Sequence, residues 1–91
     1  MSKSEQTILQ ASIDRWGLQL QLMILIEECG ELIQAAAKYQ SGRVGSPKNL
    51  IEEVADVSIM VDQIRCKWGK EIDVVRTQKI ARLAGRLEEV P

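Results

Sequence analysis

Residues 18–40 read LQLQLMILIEECGELIQAAAKYQ. The stretch holds no proline and a single glycine, Gly30, so it can run as one helix of about six turns. At about 100° per residue, Glu27, Glu28 and Glu31 fall within a sector of about 100° that also contains Leu20, Ile24 and Ala35. The opposite side carries Leu18, Leu22, Leu25, Cys29, Ile33 and Ala36. The helix is therefore apolar nearly all round, with three acids set inside an apolar stripe. Such a helix is central, and in a small protein its second face packs against another subunit.

Working outward, the glycines and prolines divide the rest of the chain. Gly17 closes a first segment, about residues 4–15, with Ser4 as a possible cap and a thin apolar set of Ile8, Ala11 and Ile13. After the loop of residues 41–47, Ser46 reads as an N-cap with Pro47 in the first helical position, opening a third segment that runs to Trp68. Beyond Gly69 a fourth segment, about residues 70–87, repeats apolar residues at Ile72, Val75, Ile80, Leu83 and Leu87. Nothing sustains the alternation of a strand. The expected fold is all-α, a single domain over residues 1–91 with a four-helix protomer that oligomerises into a helical bundle.

The third segment repeats the anomaly of the second. Glu53 lines up with Leu50, Val57, Met60 and Ile64, and Asp56 lies about 60° to one side of it. Asp62 points the opposite way, toward solvent. Charge on a helix usually marks a solvated face, a reading that suits Asp62, Glu52, Glu71 and Glu88 but not Glu28, Glu31, Glu53 and Asp56.

The whole chain has 91 residues, 12 Lys and Arg against 13 Asp and Glu, and no histidine. A domain of this length buries only about 60 to 65% of its unfolded surface, so subunits are expected to share a core. The missing histidines exclude Ser-His and Cys-His nucleophile systems and the His-containing zinc and di-iron sites. A near-neutral sum argues against a nucleic-acid partner. The signs are nevertheless segregated: residues 27–62 hold seven acids and three bases, and residues 63–91 hold seven bases and four acids. Cys29 and Cys66 lack a C-x-x-C spacing and read as reduced core thiols. The longest unbroken apolar run, residues 22–26, cannot span a membrane, and the start carries no signal peptide, so the expected location is the cytoplasm.

Carboxylates that converge in an apolar groove repel one another and lose hydration, and a hard divalent cation resolves both costs. Glu28 and Glu31 are one turn apart on one helix, and Glu53 and Asp56 are one turn apart on another. An antiparallel pair of such helices presents four carboxylates to one point. All-oxygen ligation favours Mg²⁺, with Mn²⁺ as substitute, over Zn²⁺ or Cu²⁺. On the fourth segment Arg76, Lys79, Arg82 and Arg86 fall within about 120°, a basic stripe suited to phosphate if it faces the acids across a cleft. For Arg76 the solvated reading is preferred.

Glu27-Glu28-Cys29-Gly30-Glu31 followed by Glu53-Val54-Ala55-Asp56 resembles the E-E-x-x-E … E-x-x-D signature of the MazG-like all-α nucleoside triphosphate pyrophosphohydrolases. The likeness extends to Gln21-Leu22 before the paired glutamates, the loop holding Gly42 and Gly45, the Trp68-Gly69 break, and the basic positions Lys79, Arg82 and Arg86. It implies Mg²⁺-dependent cleavage of a (deoxy)nucleoside triphosphate between the α and β phosphates, giving monophosphate and pyrophosphate, in a homodimer or homotetramer that clears unwanted nucleotides. By the same resemblance Glu28, Glu31, Glu53 and Asp56 are metal ligands, and Glu27 acts with Glu28 in catalysis by orienting or deprotonating water. The family commonly places Asn between the basic positions of the last helix, where this chain has Leu83. For the base, Trp16 at the first turn and Gln21 near the acidic sector are the candidate contacts, with Trp68 read as a core plug. The alternative from another class is a non-catalytic helical oligomer that binds nucleotide or a protein partner.

Overall fold

The computed structural model describes residues 2–89. They form three helices, α1 (Lys3–Trp16), α2 (Leu18–Gln40) and α3 (Lys48–Leu87), with no strand among the described residues. α3 holds both the third and the fourth segment expected from the sequence, two helical stretches that meet at a kink where Trp68 leaves helical geometry, at φ −125° and ψ 29°. Gly69 remains helical beside it, since a glycine weakens a helix without ending it.

Each boundary has a local cause. The cap of α1 is Ser2, not Ser4: the Ser2 side chain accepts from the Glu5 amide while the Glu5 carboxylate accepts from the Ser2 amide, a reciprocal capping box. Gly17 alone separates α1 from α2, at φ +86°, a backbone state that L side chains rarely adopt. At the end of α2, Gly42 at φ +79° donates to the Tyr39 carbonyl and Arg43 to the Lys38 carbonyl, the paired bonds of a Schellman motif. Pro47 then precedes α3, and the Ser46 hydroxyl accepts from the Lys48 amide. Ser46 thus serves the helix one position further out than its spacing suggested.

The dominant packing is α2 against α3. Glu28 meets Glu53 and Asp56, while Ala35, two turns later on α2, lies beside Asn49 and Leu50, earlier on α3; the two helices are antiparallel. Ala35 and Met60 are the buried apolar residues, flanked by half-buried Ile24, Leu25, Leu32, Val57 and Ile64. α1 has no buried residue and lies over α3 through Leu9, Ser12 and Ile13. Asp62, expected in solvent, is half-buried because α1 covers that side of α3 near Glu5 and Leu9. Trp68, expected as a core plug, is 40% exposed, with the Lys67 ammonium 5.1 Å from its ring centre. Cys29 and Cys66 are free and half-buried.

So little is enclosed that the chain is extended for its size. Its radius of gyration is 16.3 Å, whereas a compact domain of this length has about 12 Å. Its accessible surface is 7268 Å², against about 5300 Å² for a compact monomer of the same mass. Leu22, Ile26 and Ile33 leave an apolar stripe uncovered on the outer side of α2, and Val54, Val61 and Trp68, spaced by seven, do the same on α3. No described helix is long and apolar enough to cross a membrane.

Candidate metal centre

The antiparallel register of α2 and α3 gathers three of the four acids expected as ligands, and leaves Glu31 outside that group. Glu28, Glu53 and Asp56 each offer a carboxylate oxygen, and these oxygens lie within 4.8 Å of one another. Glu28 and Glu53 are half-buried and Asp56 is exposed, so the cluster opens to solvent on the Asp56 side. Glu31, exposed on the next turn of α2, places its charge beside both Glu28 and Glu53. Glu27 is exposed and adds to the field at Glu28.

Among the described residues no cationic side chain pairs with these acids. The ion pair among the described residues is Arg65–Asp73 at 2.6 Å, on the far side of α3 from the cluster in sequence and across the kink. The consequence appears in the acidity of the two inner glutamates. Desolvation raises the Glu28 carboxyl above its ordinary value, and the charges of Glu31, Asp56 and Glu27 raise it further. Glu53 is raised by desolvation first and then by Glu31, Asp56 and Glu28. One oxygen of each, Glu28 Oε2 and Glu53 Oε2, is buried without a hydrogen-bond partner. Buried carboxylate oxygens are normally satisfied, since an unpaired one retains its full desolvation cost.

These donors fit a hard cation. Opposite oxygens around Mg²⁺ stand about 4.2 Å apart and around Ca²⁺ about 5 Å apart, so a 4.8 Å cluster has the size of one coordination sphere. The donors are all carboxylates, one buried oxygen of each inner glutamate lacks a partner, and Asp56 leaves an open side for water. Imidazole and thiolate ligands are missing from the set, which is the preference of Mg²⁺, Mn²⁺ and Ca²⁺.

The other expected site residues are scattered. Gln21 is only 4% exposed, two turns before Glu28 on the same face of α2. Trp16 ends α1 and is exposed. Lys79, Arg82 and Arg86 lie on the distal part of α3, where every residue from Asp73 to Glu89 is exposed. The expected cleft between acids and bases is therefore not enclosed within one chain, because from Asp73 onward the helix buries nothing against the rest of the chain.

Sequence reasoning passed over a buried polar layer. Gln63, 6% exposed, donates from Nε2 to Ser12 Oγ at 2.8 Å, and Ser12 donates in turn to the Leu9 carbonyl at 2.7 Å. Gln63 Oε1 has no partner. The signal existed: Gln63 follows Asp56 by seven residues and so shares its face to within about 20°. The same spacing relates Gln21 to Glu28, and the register carries both glutamines toward one level of the α2–α3 groove.

No family model matches the chain, and no curated protein or solved structure matches it significantly.

Proposed function

We propose that this chain is a divalent-cation-dependent nucleoside triphosphate pyrophosphohydrolase of the MazG-like kind, cleaving the α–β bond of a (deoxy)nucleoside triphosphate to monophosphate and pyrophosphate. The observation that carries the reading is the pair of buried, partnerless oxygens, Glu28 Oε2 and Glu53 Oε2, in a cluster with Asp56 and no cation of its own. A helical scaffold has no structural need for such a cluster, which leaves two glutamates harder to ionise and two acceptors unsatisfied. The E-E-x-x-E … E-x-x-D pattern of residues 27–31 and 53–56 points the same way.

In this reading Glu28, Glu31, Glu53 and Asp56 hold Mg²⁺, with Mn²⁺ as substitute. Once bound, the cation supplies charge neutralisation at the phosphate oxygens and a water of lowered pKa. Glu27, exposed on the rim, would orient or deprotonate the attacking water. Lys79, Arg82 and Arg86 neutralise the departing pyrophosphate, since phosphoryl transfer demands positioning and charge compensation more than covalent help. Gln21 and Trp16 are assigned to the nucleoside end. The working unit is a homodimer or homotetramer, because α2 and α3 each keep an outward apolar stripe. Its place of action is the cytoplasm.

The bare distal part of α3 favours one competing reading, a non-catalytic helical oligomer that binds nucleotide or a protein partner. A panel of ordinary and modified nucleoside triphosphates, scored for pyrophosphate release with Mg²⁺ and with chelator, separates the two. Chelator-sensitive release from at least one of them is expected. No release from any of them selects the non-catalytic reading.

A further inference from the structure

The buried Gln63 side chain has a fixed orientation. Ser12 Oγ spends its single proton on the Leu9 carbonyl, so toward Gln63 it can only accept, and the amide must present Nε2 to it, at 2.8 Å. The amide therefore cannot turn round, and Oε1 is held as an acceptor. That oxygen is buried and has no partner among the described residues. A buried acceptor left unpaired retains the cost of its lost hydration, so an amide of purely structural use would have both ends satisfied.

Its position is the nucleoside end of the groove. Gln63 follows Asp56 by seven residues on α3, and Gln21, also buried, precedes Glu28 by seven on α2. Each stands about 10 Å along its helix from those carboxylates, a span that a ribose and base cover. Gln21 lies in the first turn of α2, with its backbone amide bonded to the Gly17 carbonyl, and Trp16 ends α1 one turn after Ser12. Three helices thus contribute a ring and two amides near the Gly17 turn. α1 is the wall that can move: it buries none of its residues, and the Gln63–Ser12 bond is the side-chain hydrogen bond that holds it to α3 among the described residues. Gly17 is the single residue that joins it to α2.

We infer that Gln63 reads the base of the nucleotide: its locked Oε1 accepts an N–H from the base edge, with Gln21 beside it, and α1 lifts about Gly17 to admit the ring and closes over it. The ligand class is a nucleotide whose base carries an N–H donor on the edge away from the sugar, and a base stripped of that donor leaves the buried oxygen unpaired. That the ligand is a nucleotide rests on the function proposed above; the locked, partnerless acceptor rests on the hydrogen bonds alone.

The test compares each ordinary nucleotide with a partner lacking the donor, using the full chain. ATP is paired with purine riboside triphosphate, CTP with pyrimidin-2-one riboside triphosphate, UTP with N3-methyl-UTP, and GTP with N1-methylinosine triphosphate. Pyrophosphate release gives kcat and KM, and calorimetry with the corresponding monophosphates gives binding without turnover. For the nucleotide that the wild type prefers, kcat/KM should exceed that of its partner by about 10- to 100-fold, carried in KM. Gln63→Leu should bring this ratio near one, with helical circular dichroism and Mg²⁺ binding unchanged. If that variant loses its helicity, Gln63→Met, of nearly the same length, supplies the reading. A wild type without the preference, or a Gln63 variant that keeps it, overturns the inference and leaves the hydrolase standing. Donor-dependent monophosphate binding without any pyrophosphate release removes the hydrolase and leaves Gln63 as the reader of the base. Neither release nor binding overturns both. Tryptic cleavage after the exposed Arg15, beside the Gly17 turn, should slow when the preferred monophosphate is added, and an unchanged rate overturns the closing of α1.

Discussion

The two parts of α3 on either side of Trp68 share an apolar helical period but differ in charge balance and in environment. From Lys48 to Trp68 the helix lies in a groove with α2 and under α1, burying Met60 and Gln63 and turning Glu53 and Asp56 toward Glu28. From Asp73 onward nothing is buried, although Val74, Val75, Ile80, Leu83 and Leu87 are as apolar as their counterparts upstream. Periodicity makes both halves helical, but only neighbours decide what a face is for. In the first half the neighbour is in the same chain and the acids acquire a shared space. In the second half, from Asp73 onward, no neighbour in the chain buries that face.

The contrast breaks most sharply if the acids are not functional. Glu53→Gln should lower pyrophosphate release by at least about 100-fold, while circular dichroism and the metal-free melting temperature stay equal or rise, because one repelling charge is gone. A variant that simply unfolds would make Glu53 a structural residue and return the first half of α3 to the same category as the second.

Next in size is the effect of metal on stability. A cation that binds the folded cluster at a hundred times its Kd adds about 2.7 kcal/mol, which for a domain of this length raises Tm by roughly 10–20 °C. Thermal melts with and without millimolar Mg²⁺ check it, and the gain should vanish in Glu28→Gln combined with Glu53→Gln. Charge changes confined to the distal helix, such as Arg82→Ala, should leave that gain intact.

The polar layer under α1 gives a smaller effect. Ser12→Ala strips the acceptor from a buried Gln63 amide and should cost about 1–3 kcal/mol in chemical denaturation. Arg65→Ala removes an exposed ion pair across the kink and should cost only about 0.2–1 kcal/mol. Comparable costs for the two would mean that the kink, and not the groove, organises the molecule.

Dependence on pH sharpens the comparison in the metal-free chain. Glu28 and Glu53 have raised pKa values in the folded state, so folding favours their protonated forms. Their contribution to stability is complete below the ordinary glutamate range and is lost as pH rises through the raised values. Denaturation midpoints should therefore fall from acid toward neutral pH without metal, and that fall should shrink with Mg²⁺ present or with both glutamates replaced by Gln.

Much of this was legible beforehand because helical period is a local property. The bounds of α2 follow from Gly17 and the loop after Gln40, and Glu28, Glu53 and Asp56 stood out as acids in apolar sectors before any contact was known. What escaped depends on contacts between elements. Asp62 reads as solvated until α1 is laid over it, and Gln63 has no meaning without Ser12, fifty-one residues away in the chain. Trp68-Gly69 reads as a stop because each residue is a poor helix former there, yet one distorted residue absorbs the turn. The wheel does not locate the basic stripe relative to the acids, because it gives directions on a helix and not what that helix faces.

The central claim is that the α2–α3 carboxylates form a divalent-cation site, and titration calorimetry of the full chain with Mg²⁺, repeated with Mn²⁺, addresses it directly. Saturable binding that disappears in the Glu28→Gln, Glu53→Gln double variant while the helical signal persists is the predicted result. A wild-type chain that takes up neither ion saturably at millimolar concentration, or a double variant that binds as the wild type does, would contradict it.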